Sequence, residues 1–223
     1  MINRPNTLRL DSQGLTELPA SIRATPDIAH LSVYDNALTA LPEWLWSLTT
    51  LQTLNVASNR LTAIPDALRQ LVKLRMLDLG HNQLAVLPDA IGDLAALTEF
   101  LYLSDNGIER LPAALTQLTR LRYLNVTDNR LTALPLDIGR MVGLIELRAY
   151  RNPLTTLPDS LGKCVHLREL HLDATLLTRL PDTIGELHDL RVLSLRGCQL
   201  DAVPDSIGGC ARLRRQGIGA PIP

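Results

Sequence analysis

The side chains able to do chemistry are few and scattered. Five histidines (His30, His81, His166, His171, His188) and three cysteines (Cys164, Cys198, Cys210) are spread over 223 residues. None stands at a metal-ligand spacing such as CxxC or HExxH, and neither a P-loop nor a GxSxG turn is present. The one suggestive grouping is His171 with Asp173 and Glu146, an imidazole and two carboxylates. A metal site demands a fixed geometry that so loose a cluster does not supply, so no metal and no cofactor are expected. A nucleophilic thiol needs an accessible, electropositive setting, and Cys198 falls on a buried position of the pattern described below. No catalytic residue is expected, and the chain does not read as an enzyme.

The informative residues are aromatic. Tyr34, Phe100, Tyr102, Tyr123 and Tyr150 are all the tyrosines and the only phenylalanine, and every one falls on an outward strand position of a repeat. Arg148 and Arg151 flank the later ones, and His171, Asp173 and Arg196 continue the row as a mixed charged floor suited to pairs across neighbouring strands. Tyrosine and arginine are residues that anchor protein interfaces. Against that stands the general preference of aromatic side chains for strands. These ten residues are the expected partner-binding set.

A repeat is what would place them on one surface. Residues 121–143 read LRYLNVTDNRLTALPLDIGRMVG, an L-x-x-L-x-L-x-x-N-x-L half followed by an LPxxIGxM half. The same unit starts near residues 5, 28, 51, 74, 98, 121, 144, 167 and 190, with a truncated unit from 213. Every spacing is 23 except the 24 between Leu74 and Thr98, where an extra residue near Ala95-Ala96-Leu97 lets Leu97 take the core role that Thr98 cannot. Within each unit, positions 4 and 6 point inward from a strand while 3, 5 and 7 point outward. One such strand cannot bury its apolar side alone, but stacked copies share a core. Position 15 is proline in all nine units, which suits the first turn of a short helical or 3₁₀ segment on the outer side. Asparagine at position 9 (Asn36, Asn59, Asn82, Asn106, Asn129, Asn152) is expected to form a buried structural ladder satisfying backbone groups. Thr175 and Cys198 replace it in units eight and nine, which predicts a looser ladder there.

This pattern resembles the leucine-rich repeat family over nearly the whole chain. The LPDAIGDL from Leu87 and LPDTIGEL from Leu180 resemble a 23-residue subclass of intracellular Ras-group and bacterial leucine-rich repeat proteins, some of the latter being effectors delivered into host cells. The resemblance implies an α/β solenoid, a horseshoe with a parallel β-sheet on its concave face and short α or 3₁₀ segments on its convex face. It also implies a protein or peptide partner bound on the concave face. The alternative is the targeting domain of a larger effector enzyme, a ligase or transferase whose catalytic part lies outside this chain; the unfinished tenth unit motivates it.

The unbroken repeat makes residues 1–223 one domain. Nine strands about 4.8 Å apart give an inner face of about 40 Å, long enough for an interface of ordinary size. A net charge of −1 gives no general attraction to nucleic acid or an anionic membrane. No apolar run approaches a membrane span and no secretory leader is visible. Arginine outnumbers lysine twenty to two, a bias that suggests a bacterial genome. Cys164 and Cys210 sit two units apart, too far for a disulfide, so three reduced thiols in a cytoplasmic setting, or delivery into a host by a non-classical route, are expected. Arginine lines one rim at position 2 (Arg75, Arg122, Arg168, Arg191, Arg214) and aspartate the other at position 8 (Asp35, Asp105, Asp128). Trp44 and Trp46 stand where later units carry small or polar residues, so both are expected to face outward. They would pack locally on the weak first unit or form a patch for self-association or partner contact. The open ends of the solenoid offer a second route to a homodimer.

Overall fold

The computed structural model describes residues 6–25 and 27–214. Pro5, Pro26, Gln216 and the tail of the truncated unit lie outside them. Among the described residues nine three-residue strands form one parallel sheet in chain order. They are β1 (Thr7–Arg9), β2 (His30–Ser32), β3 (Thr53–Asn55), β4 (Met76–Asp78), β5 (Phe100–Tyr102), β6 (Tyr123–Asn125), β7 (Glu146–Arg148), β8 (Glu169–His171) and β9 (Val192–Ser194). Each residue pairs with its counterpart one unit on, as Leu54 does with Leu77 and Leu124 with Leu147. A short 3₁₀ segment follows each strand on the opposite side, Asp66–Gln70 after β3 for example.

The core is a set of columns. In unit six Leu121, Leu124, Val126, Leu131, Leu134, Ile138 and Met141 are all buried, and their counterparts above and below continue one cluster from Leu18 to Cys210. Leu97 is buried and its N–H donates to Leu94 O at 2.8 Å, as Leu121 does to Leu118 O at 3.1 Å. Leu97 therefore fills position 1, and the extra residue is taken up in the Thr98–Glu99 stretch before β5.

The prolines sit one step earlier than expected. Pro65, like Pro42, Pro88, Pro112, Pro158, Pro181 and Pro204, directly precedes its 3₁₀ segment in an extended conformation, and its carbonyl accepts the first bond, from Leu68 N at 3.1 Å; in unit six the segment starts later, at Ile138. Among the described residues all nine outer segments are 3₁₀. Position 19 shows how tightly they stack: a Cβ on Gly139 would come within 2.0 Å of Ser160 O, and one on Gly92 within 2.3 Å of Ala114 O.

That packing corrects the reading of the tryptophans. Trp46 occupies position 19 and is only 1% exposed, and Trp44 is partly buried against the same core. Small residues at this position mean a close fit between neighbouring units, not exposure. In unit two the indole fills the place that glycine takes in units four and six to nine, with its Nε1 left without a hydrogen-bond partner among the described residues. The tryptophans therefore form no outward patch.

Candidate partner-binding face

The strands exit through a turn that fixes the outer margin of the concave face. Position 8 adopts left-handed φ in every unit: Ser12, Asp35, Ser58, His81, Asp105, Asp128, Arg151, Ala174 and Gly197. Aspartate tolerates this region better than most residues. The asparagine of position 9 then closes the turn. Asn129 donates from Nδ2 to Leu103 O, Val126 O and Thr127 O at 2.9–3.1 Å, and its Oδ1 accepts Ile108 N at 3.0 Å. Asn36, Asn59, Asn82, Asn106 and Asn152 repeat the pattern. Thr175 hydrogen-bonds Leu172 O and, at 3.2 Å, Cys198 Sγ, and Cys198 reaches the same carbonyl through sulfur at 3.2 Å. Neither reproduces the acceptor end, so the ladder is thinner in units eight and nine. At both ends an aspartate of position 7 ties its strand to the next: Asp11 accepts Ser32 Oγ and Tyr34 N, and Asp173 accepts Ser194 Oγ and Arg196 N.

On this fixed sheet the aromatic residues converge. Phe100 and Tyr102 stack at 5.8 Å with planes 10° apart, and Tyr123 tilts against both, at 5.6 Å and 5.0 Å. The Arg148 guanidinium lies 5.6 Å from the Tyr123 centroid and that of Arg151 lies 5.9 Å from Tyr150. Phe100 is 40% exposed; the three tyrosines of this row are half-buried. Burial pushes the Tyr123 phenol up to about 12, the Glu146 charge adding to it and Arg148 opposing it. Burial and the Asp78 charge push Tyr102 the same way. Arg148 is also bonded through Nε to Glu146 at 2.5 Å and sits opposite His171.

Of the ten expected residues, Phe100, Tyr102, Tyr123, Arg148, Tyr150 and Arg151 form this row. His171, Asp173 and Arg196 continue it on β8 and beyond β9, whereas Tyr34, on unit two, stands apart from the rings of units five to seven. Asp78, Glu146 and Glu169 also belong to the floor. They lie at positions 3 and 5, so the same outward-position rule that found the tyrosines points to them. The margins are less one-sided than their composition: Asp35 accepts Ser12 Oγ, Asp105 pairs with His81 at 2.7 Å, Asp128 with Arg151 at 3.4 Å, and Arg75 with Glu99 at 2.6 Å.

The suggestive metal-like grouping is differently composed than expected. Glu146, Glu169 and His171 bring one donor atom each within 4.8 Å of one another, whereas Asp173 turns to Ser194 and Arg196. Arg148, bonded to Glu146, sets a positive charge against a cation there. The three cysteines are free; burial pushes the Cys164 thiol up to about 12 and that of Cys210 upward too, which disfavours the reactive thiolate at both, whereas Cys198 is only partly buried rather than buried as its position in the repeat suggested. Among the described residues no helix is long and apolar enough to cross a membrane.

The profile described as "Leucine-rich repeat region" matches residues 64–159, and the "Leucine Rich Repeat" profile matches residues 50–71 and 189–210. No curated protein sequence matches the chain. Among solved structures it is similar to a leucine-rich repeat protein of Leptospira interrogans, with TM-score 0.87 and 30% identity over 93% of this chain and 59% of that one. It is similar also to the ectodomain of the Arabidopsis thaliana receptor kinase GASSHO1/SCHENGEN3, whose structure holds CASPARIAN STRIP INTEGRITY FACTOR 2. There the TM-score is 0.76 and identity 30%, over 93% of this chain and 26% of that one. An internalin of Listeria monocytogenes, at 22% identity and TM-score 0.69 over 96% of this chain and 67% of that one, shares the fold. With 467 solved chains showing such likeness, the fold by itself singles out no partner.

Proposed function

We propose that this chain, which belongs to the leucine-rich repeat family, is a binding module without catalysis of its own that grips a protein or peptide on the concave face of units four to eight. Leucine-rich repeat solenoids are protein-interaction scaffolds whose curvature creates extended concave surfaces. The observation that carries the reading is the contiguous row of Phe100, Tyr102, Tyr123 and Tyr150 with two arginines stacked on it. Large rings held in place by their neighbours lose little freedom on binding, which favours affinity. The backbone beneath them is fixed by the asparagine ladder, so the surface is formed before a partner arrives.

The same proposal extends to a bacterial origin and a reducing compartment, supported by the arginine-over-lysine bias and the three free thiols. The test is a pull-down from source-cell and eukaryotic host lysates with wild type beside the Tyr102→Ala/Tyr123→Ala/Tyr150→Ala variant. The expected result is a partner retained by wild type and lost by the variant, whose circular dichroism stays unchanged. A partner held equally by both overturns the concave-face reading. Which lysate supplies it distinguishes a role in the source cell from one in a host.

A further inference from the structure

At outward positions 3, 5 and 7 of units four to eight stand four carboxylates, Asp78, Glu146, Glu169 and Asp173, and one guanidinium, Arg148, while Arg151 lies at the margin paired with Asp128. Three of the four have side-chain partners on the surface itself. Glu146 is bonded to Arg148, Glu169 lies 3.2 Å from His171 Nε2, and Asp173 accepts Ser194 Oγ at 2.6 Å. Asp78 differs. Its Oδ1 accepts Gly80 N–H at 3.0 Å, and among the described residues no cation pairs with it. His81, whose charge acts to lower the Asp78 pKa, is engaged with Asp105 at 2.7 Å. Burial pushes the Asp78 carboxyl up, more than the Gly80 hydrogen bond and His81 lower it. A half-buried carboxylate without a cation is unfavourable for folding, and such local costs are retained where function requires them.

The opposite end of the aromatic row shows what an acid beside a ring can hold. The Arg148 guanidinium sits over Tyr123 and bonds Glu146, taking a cation–π contact and a charge-assisted hydrogen bond together. The β4–β5 register places Asp78 directly opposite Tyr102, which is stacked on Phe100. Acid and ring are thus repeated on the amino-terminal side of the row, and among the described residues no guanidinium is paired with either.

We propose that Asp78 and Tyr102 form a subsite for a basic side chain, arginine or lysine, carried by the peptide or protein segment that binds the concave face. The proposal rests on the concave-face reading above and adds the chemistry of the partner. The cation stacks on the Tyr102–Phe100 pair and bonds the Asp78 oxygen that Gly80 leaves free, while the acidic surplus of the floor steers a basic segment toward it.

The test is selection of a displayed random 12-residue peptide library on the intact chain, followed by anisotropy with the selected peptides synthesised. Wild type is compared with Asp78→Asn, which keeps an acceptor for Gly80 N–H, and with the triple tyrosine variant. The expected result is arginine or lysine enriched at one place in the peptides. Affinity should fall about tenfold in Asp78→Asn, and fall no further when that arginine is replaced by citrulline. Peptides lost by the tyrosine variant yet not enriched in basic residues, or an arginine whose loss is independent of Asp78, overturn the subsite and leave the concave face standing. Peptides indifferent to the tyrosine variant, or none selected, count against both.

Discussion

Replacing Asn129 by alanine isolates what the ladder contributes, because its partners are unequally exposed to the loss. The three carbonyls that Asn129 serves each keep a second donor: Leu103 O has Asn106 Nδ2, Val126 O has Asn152 Nδ2, and Thr127 O has the Asp105 amide. Ile108 N–H has no such reserve; its hydrogen bond is to Asn129 Oδ1, and Ile108 is fully buried. The cost is therefore dominated by one orphaned buried donor, with smaller losses at the carbonyls. We expect about 2–4 kcal/mol. Urea unfolding followed by far-UV circular dichroism measures it, and the fluorescence of Trp44 and Trp46 reports whether unit two unfolds together with unit six. Asn129→Thr should lose nearly as much, since threonine supplies a donor and leaves Ile108 unserved, as Thr175 leaves Leu154. The converse change, Thr175→Asn, should stabilise by about 1 kcal/mol. An Asn129→Ala midpoint indistinguishable from wild type would refute the argument that this amide is structural.

Three further outcomes follow from other parts of the molecule. Gly139→Ala should destabilise by about 2–3 kcal/mol in the same assay, because its new methyl meets Ser160 O and the 3₁₀ segments of units six and seven must part. Asp78 binds its proton more readily in the folded than in the unfolded chain, so its contribution to stability declines as pH rises from 3.8 through the folded-state pKa. Asp78→Asn should therefore melt above wild type at neutral pH, with the gap closing as pH falls below the ordinary carboxylate range. An absorbance titration of phenolate should show Tyr123 ionising near 12, a component missing from Tyr123→Phe. Because that pKa lies above the unfolded value of 10.0, the chain should lose stability as pH rises across the interval.

The period of the repeat made the strands, the core columns and the asparagine ladder legible, because each unit restates the same constraint and one error cannot hide. The aromatic row was legible for the same reason: outward strand positions follow from a period of two. Trp46 was misread because the sequence shows that position 19 is small or polar in the other units without showing why glycine recurs there. Only the carbonyl of the next unit, close against Gly92 or Gly139, reveals that small there means crowded. The left-handed turn at position 8 was masked by its variety, since serine, histidine, arginine and alanine share it with aspartate. Asp78 escaped notice because its significance is relational. A carboxylate beside Tyr102 becomes informative only once the other acids of the floor are seen to have partners.

The central claim is that the partner lies along the aromatic row of the concave face. The most direct measurement places a photoreactive benzoylphenylalanine at Tyr102 in one protein and at Leu136, 82% exposed beside the outer 3₁₀ segment, in another. Each is irradiated with the partner recovered by pull-down. The account predicts a crosslinked adduct from position 102 and none from position 136. An adduct from position 136 with none from position 102 would contradict it and move the binding surface to the convex side.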